Sequence, residues 1–152
     1  MAKFGVKIYG ADAIIKRLEA SPRKMMEESK LIIDAAVIEI AAKAKQAVPV
    51  SSVSKVHLKD TIRHSKFVVG KGASVSAGNI NVKYAAYVEF GTGDSFQIPV
   101  YPNVNMGDLE EYAASFKRRK KALLGVPHRP YMFSSYSEVF TSMIKKLKSV
   151  KI

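Results

Sequence analysis

Residues 3–9, KFGVKIY, alternate Phe4, Val6 and Ile8 with Lys3, Gly5 and Lys7, which is the period of a half-buried strand. Gly10 turns the chain, and Asp12 is placed to cap a short helix through AIIKRLEA, residues 13–20. Ser21 and Pro22 then give an N-cap and a first helical position where a missing N–H costs nothing. From Pro22 to Val48 the period changes to that of one long helix, stopped by Pro49. It would be about 40 Å long at about 1.5 Å per residue. Met25, Ile33, Ala36, Ile40, Ala44 and Ala47 share one face, with Glu27, Lys30, Asp34 and Lys45 opposite. Leu31, Ala35, Ile38 and Ala42 form a second apolar strip beside the polar arc. That is more apolar circumference than packing on one sheet requires, so the strip meets either another element of this chain or a neighbouring subunit.

The segment VPVSSVSKVHLKD, residues 48–60, reads as a polar loop rich in serine. Residues 62–69 and 73–82 read as two strands joined around Gly70-Lys71-Gly72, a hairpin signal. Residues 94–128 hold three prolines, two glycines and few long apolar runs, the pattern of a long functional arm. Within it DLEEYAASFKRRKKALLG, residues 108–125, has acids first and bases last, the polarity that suits a helix dipole. A final helix is predicted from Pro130, with Phe133, Tyr136, Phe140, Met143 and Leu147 at helical spacing and lysines at its C-terminal end. The elements add up to one α+β domain over residues 1–152.

Composition narrows the class. The chain has 152 residues, 47% hydrophobic and 9% aromatic, enough to bury a core and too apolar for wholesale disorder. No run of about 18 apolar residues predicts a membrane span, and the N-terminal MAKFGVKIYG lacks the apolar stretch of a signal peptide, so the chain is expected to be mature and cytosolic. With no cysteine, disulfides, thiolate nucleophiles and cysteine-based zinc sites are excluded. The net charge of +12 is unevenly spread. Residues 1–111 carry 15 basic and 12 acidic side chains, a net of +3, whereas residues 112–152 carry 10 and 1, a net of +9. Much of the excess is the run Lys117, Arg118, Arg119, Lys120 and Lys121, with Arg129, Lys145, Lys146, Lys148 and Lys151 beyond it. Such a patch favours polyanions, whether nucleic acid or an acidic protein surface, or is simply a solvated basic face.

Catalytic constellations are missing from the pattern. His57, His64 and His128 are scattered, without the spacing that sets two ligands on one helix face. No phosphate loop, dinucleotide fingerprint or nucleophile elbow occurs. Ser51, Ser52 and Ser54 read as loop hydroxyls, and Glu89 is a lone acid without a contrasting partner. The expectation is a protein that is not an enzyme and takes no cofactor or metal. The basic run has no aromatic inside it, so any contact with nucleic acid would neutralise phosphate without reading bases.

Four features together resemble the tailed-bacteriophage family of gene-product-10-like neck or tail-completion proteins, found at the head–tail joint. They are the strand, Gly10 and short helix of VKIYGADAIIKRLEA, and the alanine-rich long helix closed by Val48-Pro49-Val50. They are also Tyr84 and Ala85 followed by Tyr87, Val88, Glu89, Phe90, Gly91, Thr92 and Gly93, and the Arg129-Pro130-Tyr131-Met132 start of the last helix. Two departures stand out: residues 51–62 contain no glycine where the family often has Thr-Gly, and the span from Gly93 to Arg129 is longer than usual. The resemblance implies a long helix lying across a small antiparallel sheet, and a non-catalytic virion protein at the head–tail interface, made in the host cytoplasm. Its partners would be head-closure or connector proteins and tail-terminator or tail-tube proteins. It would form a homo-oligomeric ring, a hexamer or dodecamer, with double-stranded DNA passing the lumen unread and no membrane involved. The basic run from Lys117 to Lys121 would then dock on acidic ring neighbours; the alternative is a DNA-binding accessory protein using the basic C-terminal third.

In that frame Tyr84, Tyr87, Val88 and Phe90 are expected to pack, and Gly91 and Gly93 to take positive φ where the chain turns. Glu89 keeps three readings: acceptor of backbone N–H groups, partner of an arginine such as Arg129, or partner across a subunit interface.

Overall fold

The fold is taken from a computed structural model that describes residues 4–7, 23–50, 57–79, 84–92, 95–98, 100, 106–114 and 127–150. In chain order these form β1 (Phe4–Lys7), α1 (Arg23–Ala47), α2 (Leu58–Thr61), β2 (Arg63–Val68), β3 (Gly72–Ala77), α3 (Ala85–Phe90), α4 (Met106–Ala114) and α5 (Met132–Ser149). The class is α+β, with the long helix α1 lying on a small antiparallel sheet and α5 packed against α1. The expected short helix at 13–20 and the basic run at 117–121 lie outside the described residues, as does Gly93.

The sheet has the order β1-β3-β2, both pairings antiparallel. Gly70 and Gly72 carry the hairpin between β2 and β3 with φ of 78° and 73°, conformations that cost a side-chain-bearing residue strain. β3 stops at Ala77, short of the expected Val82, because Thr61 ends the ladder: its Oγ1 accepts the Gly78 N–H at 2.8 Å while donating to the Leu58 carbonyl at 2.7 Å. The stretch expected to be loop thus contains α2, whose Leu58 and Thr61, with the adjoining Ile62, are buried.

β2 does not keep strict alternation. Arg63, His64 and Ser65 face Ser76, Val75 and Ser74, but Val68 faces Gly72, so β2 holds one residue more than β3 between the two ends. Without that bulge Lys66 would follow His64 onto the side of the buried Val75; with it, Phe67 enters the core instead. The Phe67 N–H is then accepted by Asp34 Oδ1 of α1 at 2.6 Å. Asp34, read from the sequence as part of a solvent-facing arc, ties helix to sheet at the irregular point. Asp34→Ala is expected to destabilise the protein by about 1–3 kcal/mol, the usual cost of stranding a partly buried donor. Urea denaturation measures it, and a loss below about 0.5 kcal/mol, the size of an ordinary surface change, would contradict this role.

The core lies between α1, the inner sheet face and α5. α1 contributes Ile33, Ala36, Val37, Ile40, Ala41 and Ala44, and α5 contributes Tyr136, Val139 and Met143. Three alanines on the buried side of α1 allow α5 to approach closely. The buried set differs slightly from the expected face: Val37 and Ala41 are inside, whereas Ala47 is exposed. Lys43 of α1 pairs with Glu138 of α5 across the outer edge of that contact.

Candidate functional site

The sequence segment singled out around Glu89 folds as α3, and what it does depends on α5. Helix α5 begins at Met132 with no side-chain cap from its own N-cap residue, Tyr131. Its first turn therefore presents N–H groups with no partner inside the helix. Glu89, 0% exposed, supplies one. Its Oε2 accepts the Tyr131 N–H at 2.8 Å and the Met132 N–H at 2.9 Å, and its Oε1 accepts the Phe133 N–H at 3.0 Å. One carboxylate satisfies three donors lying 42 to 44 residues further along the chain. Its negative charge also faces the positive end of the α5 dipole.

The tie runs in both directions. The Arg129 N–H donates to the Val88 carbonyl at 2.8 Å, and the Tyr131 hydroxyl donates to the Ala85 carbonyl at 3.3 Å. The Gly91 N–H closes α3 on Tyr87 at 2.9 Å, and the Gln97 N–H takes the Phe90 carbonyl at 2.8 Å. α3 thus gives carbonyls to the segment entering α5 and receives that helix's N–H groups on its one acid. Gly91 has φ 75° and ψ −175°, which sends the chain away from the end of α3. Phe90, fully buried, sits at the centre: its ring lies 5.9 Å from that of Phe133, 6.4 Å from Phe96 and 6.4 Å from Tyr112.

Of the readings open to Glu89, the geometry has the backbone one: its oxygens are taken by N–H groups, and the exposed Arg129 enters through its backbone N–H. Burial raises the Glu89 carboxyl to about 6, and the N–H bonds from Met132, Tyr131 and Phe133 oppose that shift. Pro130, between Arg129 and Tyr131, is half-buried, and Tyr131 is fully buried. Tyr84 departs from expectation. It is the residue preceding α3, it is 39% exposed, and its carbonyl accepts the Val88 N–H at 3.1 Å. The helical spacing of Tyr84 and Val88 aligned their backbones without carrying the tyrosine ring inward. Tyr87, Val88 and Thr92 are half-buried, and Ala85 is buried.

Chemically, this is a clamp. The carboxylate is buried and held by three fixed N–H groups, the geometry of a structural acceptor. Among the described residues no group of three or more His, Asp or Glu stands close enough to hold a metal ion, and no helix there is long and apolar enough to cross a membrane. What the sequence pattern did not show is the pairing itself, since the acceptor and its donors are separated by the whole of α4 and its flanks. The signal that pointed there was a lone acid inside an apolar run, which must find a partner wherever it is buried.

A family model described as "Bacteriophage HK97-gp10, putative tail-component" matches residues 12–91, which is 80 of the 152 residues. The match covers α1, α2, the hairpin and α3 through Gly91, and ends before the 129–133 segment that Glu89 holds. No curated protein and no solved structure matches the chain.

Proposed function

The chain belongs to the HK97-gp10-like family of bacteriophage tail components, and from that premise we propose that it is a structural protein of the phage neck or upper tail that joins the head connector to the tail. The family match carries the reading. The Glu89 clamp supports it: the one acid in the most distinctive motif is spent on holding α3 to α5, which leaves surfaces rather than a reaction centre for the protein's work. In the virion the protein forms a ring of six or twelve copies around the DNA passage, contacting head-closure or connector proteins on one side and tail-terminator or tail-tube proteins on the other.

The basic run from Lys117 to Lys121 docks on acidic surfaces of ring neighbours. Tight phosphate binding there would retard DNA moving through the lumen, so docking fits a passage better than DNA capture does. Replacing all five residues by alanine is expected to leave circular dichroism and melting unchanged while lowering the yield of joined particles. Unchanged yield would remove the docking role.

The net charge of +9 in residues 112–152 favours one second reading, a DNA-binding accessory protein. The two separate by salt. Phosphate neutralisation makes log affinity for duplex DNA fall linearly with log salt, with a slope of about −0.9 per phosphate contacted. Measured over a salt series, a steep slope lost in the five-alanine variant supports DNA binding; no measurable duplex affinity at physiological salt supports docking.

A further inference from the structure

Among the described residues nothing covers the second apolar strip of α1. Leu31 is 68% exposed, Ile38 is 46% exposed, and Ala35 and Ala42 are exposed beside them. Their spacing of four, three and four is that of a coiled-coil seam. The opposite side of α1 is occupied by the sheet and α5, so the seam is the face of the helix left open among the described residues.

We propose that this seam pairs with the same seam of a second copy, antiparallel, to form a two-fold dimer of the free protein. Three features of the sequence on this face select that occupant. The first is shape. With the two-fold axis midway along the seam, Leu31 of one copy lies level with Ala42 of the other, and Ala35 with Ile38, so each large side chain meets a small one. The second is charge. Glu27 lies on one flank at the N-terminal end of the seam and Lys45 on the same flank at the C-terminal end, and flanks of the same kind face each other in an antiparallel pair. Glu27 of each copy therefore comes beside Lys45 of the other. The third is the opposite flank, where Glu28 comes beside Gln46 in the same register. Glu27 is also paired with Arg23 of its own helix at 3.2 Å; a parallel pair would set Lys45 against Lys45 and Leu31 against Leu31, repelling at the C-terminal end and leaving gaps opposite the alanines. From Glu27 to Gln46 the contact runs about 28 Å at about 1.5 Å per residue.

A two-fold contact closes on itself and cannot propagate a polar ring. The dimer is thus the form of the protein before it enters the particle, and the inference does not rest on where in the virion the chain resides.

The absence of cysteine makes the pairing directly measurable, since an introduced thiol is unique in the chain. Leu31→Cys and Ala42→Cys variants are prepared separately and treated with a bismaleimide cross-linker, alone and mixed. In the antiparallel register Leu31 of one copy lies about 16 Å along the axis from Leu31 of the other, at about 1.5 Å per residue. A cross-linker shorter than that is therefore expected to give dimer only in the mixture. Sedimentation of the unaltered protein should show the mass doubling with concentration, and Ile38→Asp should weaken the dimer by about tenfold or more with the circular dichroism unchanged. Lys45→Glu should weaken it too, and Glu27→Lys combined with Lys45→Glu should restore it. A monomer at every concentration, a dimer indifferent to Ile38→Asp, or cross-linking within either single variant would overturn the proposal.

Discussion

Glu89→Ala is expected to cost about 3–5 kcal/mol of folding stability, the combined effect of stranding buried N–H donors at about 1–3 kcal/mol each and of the cavity left behind. The change leaves the N–H groups of Tyr131, Met132 and Phe133 in a closed interior with no acceptor, and it opens a cavity where the side chain stood. Because small domains are stable by only about 5–15 kcal/mol, the variant should stand near unfolding at physiological temperature. Glu89→Gln is a sharper probe, because it keeps the volume. Its amide oxygen can hold the Tyr131 and Met132 donors, but its NH2 then points at the Phe133 N–H. The expected loss is about 1–3 kcal/mol, that of one stranded donor. Urea denaturation of the three proteins measures the series, and equal stability of all three would show that the clamp is idle.

The same residue sets a pH dependence. Burial raises the folded carboxyl from the ordinary 4.5 to about 6, so between those values the folded chain holds a proton that the unfolded chain has lost. The contribution from this group is complete below about pH 4.5 and is lost as pH rises through about 6. The shift corresponds to about 2 kcal/mol. Glu89→Gln should flatten the stability profile across that interval, and an unchanged profile would assign the slope to another group.

Phe90→Ala is the second large effect, expected at about 3–5 kcal/mol, the range for deleting a buried aromatic ring. Its ring meets those of Phe96, Tyr112 and Phe133, so the loss loosens α3, the 95–98 segment, α4 and α5 at once. Phe90→Leu keeps most of the volume and should cost clearly less. Combined with Glu89→Gln, Phe90→Ala should show a non-additive loss, because both side chains fix the same α3–α5 contact. Denaturation of the two singles and the double tests this; strict additivity would mean that clamp and aromatic cluster hold separate pieces.

The elements themselves were legible because each is bounded by local chemistry. Pro49 follows the end of α1, Gly70 and Gly72 mark the hairpin turn, and the 3.6-residue spacing of Phe133, Tyr136 and Met143 gives α5. What escaped depends on partners far along the chain. The β2 bulge that turns Phe67 inward is set by register with β3 and by Asp34 of α1, so Arg63–Val68 alone reads as a regular strand. α2 was hidden in a serine-rich stretch because its one turn is fixed by Thr61 and the end of β3. Tyr84 looked like a packing residue by its spacing, but it stands ahead of α3 as its N-cap and is 39% exposed. For Glu89 the need for a partner was readable and the partner was not, since three backbone N–H groups carry no side-chain signature. Of the surplus apolar circumference of α1, Leu31 and Ile38 are exposed among the described residues, on the side away from the sheet and α5.

The joining role is tested most directly by electron microscopy of particles from an infection in which this gene is disabled. Filled heads and finished tails lying separate is the result expected of a protein that connects them. Normal, fully joined particles would contradict it.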